Sequence, residues 1–388
     1  MNKIMNKRKL IFCWIIGWVI SLHAGVGGPV GVGPHGDVQQ QEEKLEIINA
    51  DTVRYSKSAE GDFIRMIGNV HLRQGAAEMF CGEAEHWRNA RQTIVRQNVR
   101  VYDRHKSLFA DKVIYFGDRQ VFQATGRVLL KDSLRQVIAD QIAYDKNEDL
   151  VTAEKNVVII DSINYIQITG ALAKFDNEKD YAMITGRPIL IRKDSTGAET
   201  LRIGSFVMEL FDGGAKAVVS DSVTIQQGKA NASCGRAEFY RDRNEILLLE
   251  KPVAWQAGDR LTGEVIQLFI ENNQLVKAVV KGQAVVTSRV DTVAWDQRVN
   301  TLTGQLITMY FDNEQLVQVT VENQATSYYY IYEDDEEKGM NKIIGDKISV
   351  FIRDRKIQRI LVESSPQLSS GTYYPPNLKP MISPGKVE

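Results

Sequence analysis

The sequence predicts an all-β fold built as an elongated repeat array, and three observations predict it. Apolar and polar residues alternate with period two over many short runs, the mark of strands with one buried and one wet face. The same short patterns return about every 30 residues along most of the chain. β-Branched residues are abundant while prolines number only nine in 388 residues, a balance that favours paired strands over disorder.

The clearest unit is Val137–Ile159. Ile142 and Tyr144 alternate before a polar turn, and Val151, Ala153, Val157 and Ile159 alternate after it. The turn, residues 145–149, is DKNED, rich in the Asp and Asn that tolerate tight backbone angles. An isolated hairpin of this kind is only marginally stable, so it needs neighbours above and below.

Those neighbours are other copies of the same pattern. Openings read Ala50-Asp51-Thr52-Val53-Arg54-Tyr55, Cys81-Gly82-Glu83-Ala84, Ala110-Asp111-Lys112-Val113-Ile114-Tyr115 and Ala139-Asp140-Gln141-Ile142-Ala143-Tyr144. Closings read Gly68-Asn69-Val70-His71-Leu72, Gln97-Asn98-Val99-Arg100-Val101, Gly126-Arg127-Val128-Leu129-Leu130 and Lys155-Asn156-Val157-Val158-Ile159. Looser copies open at Gly170, Gly204, Gly235, Gly263, Gly304 and Gly345. The last intervals are longer, and their extra residues, Ser288–Asn300 and Ser327–Met340, read as longer rim turns that include the acidic run Glu333–Glu337. Pro188 and Pro252 cannot donate to a ladder and belong at strand starts.

About ten such two-strand repeats would stack, with all opening strands in one sheet and all closing strands in the other. At about 4.8 Å per layer the rod is on the order of 48 Å long. Cys81 and Cys234 then lie roughly 24 Å apart, beyond disulfide reach, and are expected as free inward-leaning thiols.

Domain boundaries follow. Residues 1–24 carry the basic and apolar regions of an export signal, Lys3 to Lys9 and then Leu10–Leu22, with cleavage expected after Ala24. The apolar run is shorter than the roughly 18 residues needed to span a bilayer. Residues 25–45 are a flexible Gly/Pro leader, 46–363 the array with a subdivision near 200, and 364–388 a loosely ordered tail.

Composition removes some functions. Lys plus Arg, 48, nearly cancel Asp plus Glu, 49, and no basic stripe marks a nucleic-acid partner. No hydrolase, zincin, Walker or C-x-x-C motif occurs. His35, His71, His86 and His105 lack metal-ligand spacing; His71 and His105 read as wet, and His86, standing where the repeats place Tyr, as inward. Asp51, Asp111 and Asp140 form an acidic ladder whose repetition indicates turn carboxylates that accept from backbone amides. No catalytic residue, metal or cofactor is expected.

The repeated A-D-x-Φ-x-Y openings and G-N-V-x-Φ closings behind a signal sequence resemble the OstA/LptA family of periplasmic lipopolysaccharide-transport proteins. The resemblance is clearest over Ala50–Ile159 and continues more weakly to about Val362. It implies a V-shaped, twisted β-jellyroll of two facing antiparallel sheets with an apolar interior for acyl chains. It also implies a periplasmic bridge towards the outer membrane, or association with that membrane. Lipopolysaccharide and other OstA-like components at both membranes are the implied partners, reached by edge-strand stacking, with head-to-tail self-association as a further mode. The array is longer than the short bridge protein of the family and lacks a C-terminal barrel region, which leaves a membrane-anchored relay role open.

The alternating residues are the groove candidates: Val53, Tyr55, Met66, Val70, Leu72, Val99, Val101 and Val113 in the first copies. Tyr115, Phe122, Val128, Leu130, Ile142, Tyr144, Val157 and Ile159 follow in the next ones. The same residues would equally fill a closed core. The alternatives are therefore an exported structural or adhesive β-solenoid and a carbohydrate-active β-helix enzyme, whose coils would be shorter and whose acids would cluster.

Overall fold

Between Ala77 and Asp103 the chain shows how a repeat is built. Residues 77, 79 and 81 are buried, then 84 and 86, so the inward face shifts by one residue at Gly82. After a four-residue turn, residues 93 and 95 are buried, then 99, 101 and 103, while Gln97 and Asn98 are exposed. Both residues of that exposed pair have positive φ, 71° and 55°. Register passes from Glu83↔Arg96 to Phe80↔Arg100, so three residues of one strand face two of the other across the corner. The extra residue bends the strand, as a β-bulge does. Each long strand thus has two arms that meet at a corner.

The computed structural model describes residues 46–377, apart from 59–60, 75, 104–105, 134, 257, 272–273, 291–297, 314, 334–335, 354–355 and 366–367. The expected signal and leader, His35, His105, most of the first insert and the last eleven residues of the tail lie outside the described residues.

The chain divides into two compact units, residues 1–197 with 211–213, and residues 198–210 with 214–388. Unit 1 contains β1 (Glu46–Asn49), β2 (Thr52–Ser58), β3 (Gly61–Gln74), β4 (Ala77–Trp87), β5 (Gln92–Asp103) and β6 (Lys106–Phe116). It continues with β7 (Val121–Lys131), β8 (Arg135–Asp145), β9 (Leu150–Asp161), β10 (Ile166–Asp176), β11 (Tyr181–Thr185) and β12 (Ile189–Lys193). Each consecutive pair from β3 to β10 is antiparallel; β1 and β2 are two arms on β3, and β11 and β12 two arms on β10.

Unit 2 takes β13 (Glu199–Gly204), β14 (Val207–Phe211, whose last residue falls in unit 1), β15 (Lys216–Gln227), β16 (Ala230–Tyr240), β17 (Glu245–Leu249), β18 (Val253–Gln256) and β19 (Asp259–Thr262). It ends with β20 (Val265–Glu271), β21 (Gln274–Arg289), β22 (Val299–Asp312), β23 (Gln315–Glu333), β24 (Glu336–Arg353), β25 (Lys356–Glu363) and β26 (Ser370–Tyr374). All of its recorded pairings are antiparallel as well.

The corner recurs. Consecutive left-handed pairs stand at 68/69, 97/98, 126/127, 155/156 and 186/187 in unit 1, and at 221/222, 250/251, 282/283 and 323/324 in unit 2. Only Gly, and to a lesser degree Asn and Asp, enters this region without a Cβ penalty. At Gly126, φ +80°, an added Cβ would also sit 2.4 Å from the Asp111 carboxylate. Pro188 and Pro252 follow such pairs directly, and β12 and β18 begin at the next residue.

Four expectations change. The opening and closing motifs are the two sides of a corner inside long strands, not strand starts. Opening and closing strands are therefore hydrogen-bonded neighbours that both run through both arms, instead of separating into two sheets. A repeat advances the stack by two strand spacings, about 9.6 Å. The acidic ladder bonds to side chains across the corner: Asp51 accepts from Asn69 Nδ2 at 3.0 Å and Asp140 from Asn156 Nδ2 at 2.9 Å, while Asp111 lies 3.5 Å from Arg127 Nη2.

Two segments are also more ordered than expected. Residues 327–340 lengthen β23 and β24, with Tyr328↔Lys342 and Tyr330↔Met340 in register, instead of forming a rim loop. In the tail, Ser370–Tyr374 pairs with β24. The free thiols are as expected: Cys81 and Cys234 are both buried and unbonded.

Candidate lipid-binding interior

The inward side chains of unit 1 line up across strands, because directly opposed residues in an antiparallel pair share a face. On one arm the row runs Leu72, Met79, Val101, Leu108, Leu130, Val137, Ile159 and Ile168, each opposite the next. On the other arm a row passes from Ile64 through His86, Thr93, Tyr115, Phe122, Tyr144, Val151 and Phe175. Tyr115 and Phe122 stack at 4.3 Å between ring centroids, and Phe122 and Tyr144 at 6.4 Å.

Nearer the corner the inward residues shrink to Ala84, Ala124 and Ala153 on one arm and Cys81, Ala110 and Ala139 on the other. Small side chains at the vertex and large ones towards the mouth fill a wedge that widens outward. Unit 2 repeats the design, with Ala237, Leu248, Ile266, Val280, Ile307, Val321 and Ile348 opposed in one row and each fully buried.

Thirteen of the sixteen candidates are buried inside the wedge, at 0–6% exposure. Ile159 is partly buried. Val53 and Tyr55 face the same way as their partners Met66 and Ile64, yet are 52% and 50% exposed, because β2 is the end layer and nothing described covers it. Ile47, opposite Leu72 on the other arm, is exposed for the same reason. The sequence reading missed Met79, Leu108 and Val137, which complete the apolar row. They lie on the first arms of β4, β6 and β8, and their signal was the alternation upstream of each opening motif.

The few polar inward groups are shaped by burial. The Cys81 thiol is pushed up to about 12 and Cys234 to about 11, both chiefly by desolvation, so neither is a reactive thiolate. Desolvation lowers His86 to about 4, and its Nδ1 lies 3.0 Å from Thr93 Oγ1. At the mouth, Lys106 is lowered by burial, partly offset by Asp132 and Asp103, and its Nζ makes no hydrogen bond. His71 faces outward, stacked on Phe80 at 4.3 Å. No group of three or more His, Cys, Asp or Glu gathers among the described residues. The chemistry on offer is apolar containment, with no array of acids, bases or ligands around it.

This geometry defines a class: an antiparallel β stack with a continuous apolar interior running along its axis. Residues 42–181 match the family described as OstA-like protein, which meets the resemblance read from the first repeats. A search of curated proteins finds no match. Among solved structures, the chain is similar to LptH of Pseudomonas aeruginosa, described as the LptA homologous periplasmic component of the conserved lipopolysaccharide transport device. That likeness has 19% identity, covers 38% of this chain and 95% of LptH, and has a TM-score of 0.30. The all-β architecture stands on the strands of this chain itself.

Proposed function

We propose that this protein is a periplasmic lipid-binding bridge that carries the acyl chains of lipopolysaccharide in its interior towards the outer membrane. The observation that carries this reading is the unbroken apolar row from Leu72 to Ile168, perpendicular to the strands and along the stack. An acyl chain exposed to water costs about 0.8 kcal/mol for each CH₂. A lengthwise row keeps each CH₂ in apolar contact at every step of a slide. The OstA-like match over 42–181 supports the same cargo class. Other OstA-like components would meet the chain at its end strands, by β-augmentation. The export leader read in the sequence supports the compartment.

A second reading has its own observation. The middle layers bury their inward residues against one another, so a closed-core structural rod would show the same coordinates without cargo. Under the transport reading the two arms part to admit lipid.

In-cell photo-crosslinking separates the two. A probe replaces Phe122, which is 2% exposed, and a control probe replaces Arg127, whose side chain is 88% exposed. Transport predicts a lipopolysaccharide adduct at 122 and none at 127. A folded, exported protein that gives no adduct at 122 belongs to the closed-core reading.

A further inference from the structure

The outward face of unit 2 carries a pattern that the apolar interior does not account for. Across β16, β20, β22 and β24 the outward residues in one row are Tyr240, Phe269, Tyr310 and Phe351. They face out because their sequence neighbours Phe239, Leu268, Met309 and Val350 continue the inward rows, and side chains alternate along a strand. The strands between and beside them place Lys216, Lys277 and Arg359 in the same row. Aromatic rings therefore recur on every second strand, about 9.6 Å apart. Lys277 lies between two of them, 5.4 Å from the Phe269 ring centroid and 5.7 Å from that of Tyr310.

Beside this row runs a floor of small side chains: Val279, Thr308, Thr320 and Ser349. All four face out, yet they are only 4–8% exposed. They are shaded by the aromatic row on one side and by Lys281, Leu306, Glu322 and Lys347 on the other, where Lys347 Nζ lies 3.6 Å from Glu322. The result is a shallow trench across the strands, with hydroxyls in its floor and alternating rings and cations along one wall. The single carboxylate in that wall, Glu245, is already held by Gln267 Nε2 at 2.6 Å and Arg243 Nη1 at 3.4 Å.

We propose that this trench binds an extended glycan strand bearing a carboxylate substituent on every second sugar, the chemistry of the peptidoglycan wall. Sugar rings present apolar faces that suit aromatic side chains, and their hydroxyls match the threonine and serine floor. A disaccharide repeat spans about two strand spacings, so rings fall in step with sugars and cations with acidic substituents. Electrostatic complementarity sets the register, since the wall offers unpaired positive charge to an anionic polymer. A peptide would sooner use a strand edge, where backbone hydrogen bonds are open. The export leader argues against single-stranded nucleic acid, the other polymer that rings and cations suit. The inference is independent of lipid transport, which concerns the opposite face of these strands.

The test is co-sedimentation of the purified mature chain with purified peptidoglycan sacculi. The wild type should pellet with sacculi, and less so as salt rises. Phe269→Ala with Tyr310→Ala and Phe351→Ala should reduce the bound fraction at least tenfold. Lys277→Glu with Arg359→Glu, which leaves every ring in place, should reduce it comparably with an unchanged circular dichroism spectrum. Absence of the wild type from the pellet, or equal pelleting of the charge-reversed variant, overturns the proposal. So does binding to lipopolysaccharide micelles or a single-stranded DNA oligonucleotide with none to sacculi. Lipid crosslinking at Phe122 is read separately, so either result stands without the other.

Discussion

His86 stands in the interior row where the following repeats place Tyr115 and Tyr144. Burial there favours the neutral ring and lowers its pKa from 6.5 to about 4. Within that interval the unfolded chain takes up a proton that the folded chain refuses. The contribution to stability is thus fully present above pH 6.5, falls as the pH drops towards 4, and changes no further below that. His86→Phe keeps a ring in the same space and removes the proton. We expect the stability difference between wild type and variant, from urea unfolding at a series of pH values, to be level above 6.5 and to move against the wild type below it. A difference that stays level from neutral pH to 4 would show that His86 is not desolvated in solution. Tyr to His is a change that sequence alone could register as an oddity. Its consequence depends on the neighbours Ile64 and Thr93, which no local pattern reveals.

At the scale of the strand, the corner decides what could be read from the sequence. Asn156 is left-handed at φ 52° and donates through Nδ2 to Asp140. A β-branched residue cannot reach that conformation cheaply, and it cannot make the hydrogen bond. Asn156→Val should cost about 2–3 kcal/mol, from roughly 1–2 for the left-handed backbone and about 1 for the bond. Asn156→Gly loses the bond but relaxes the backbone, and should cost well under 1 kcal/mol by the same terms. Chemical denaturation of both variants checks the ordering, and equal losses would mean the backbone conformation is not what Asn156 supplies. The hairpin turn at residues 145–149 and the inward faces of β8 and β9 were legible because alternation is local. Corners were not, because strand β9 keeps its inward parity across residues 155 and 156, so the run reads as a fresh strand after a polar break. On β8 the parity slips between Ala139 and Ile142, which mimics a strand start. Residues 327–340 looked like a loop because tyrosines and acids there lengthen strands whose core is a small separate cluster of Val290, Tyr330 and Met340.

At the scale of the whole molecule, a stack of strands must end, and the first layer of unit 1 shows what an end costs. β1 and β2 pair only with β3 among the described residues, and their inward residues Ile47, Val53 and Tyr55 are about half exposed. An open strand edge beside exposed apolar side chains is a template for another chain. A partner that adds the next layer would complete the rows that begin at Leu72 and Met66 and extend the apolar path without a gap. That is the physical route to the head-to-tail association proposed for this protein. Val53→Lys with Tyr55→Lys should leave unfolding free energy within about 0.5 kcal/mol of wild type, since both sites are surface positions in the isolated chain. Sedimentation velocity should show the wild type forming larger species as concentration rises and the double variant remaining at the smallest one. Identical behaviour of the two proteins would remove β2 as a junction, and association would then have to be sought at the far end of unit 2, where β25 and β26 pair with β24. Loss of fold in the variant would instead mean that Val53 and Tyr55 are interior residues already. Exposure of one half at each site weighs against that outcome, and the same unfolding curve that controls the experiment would reveal it.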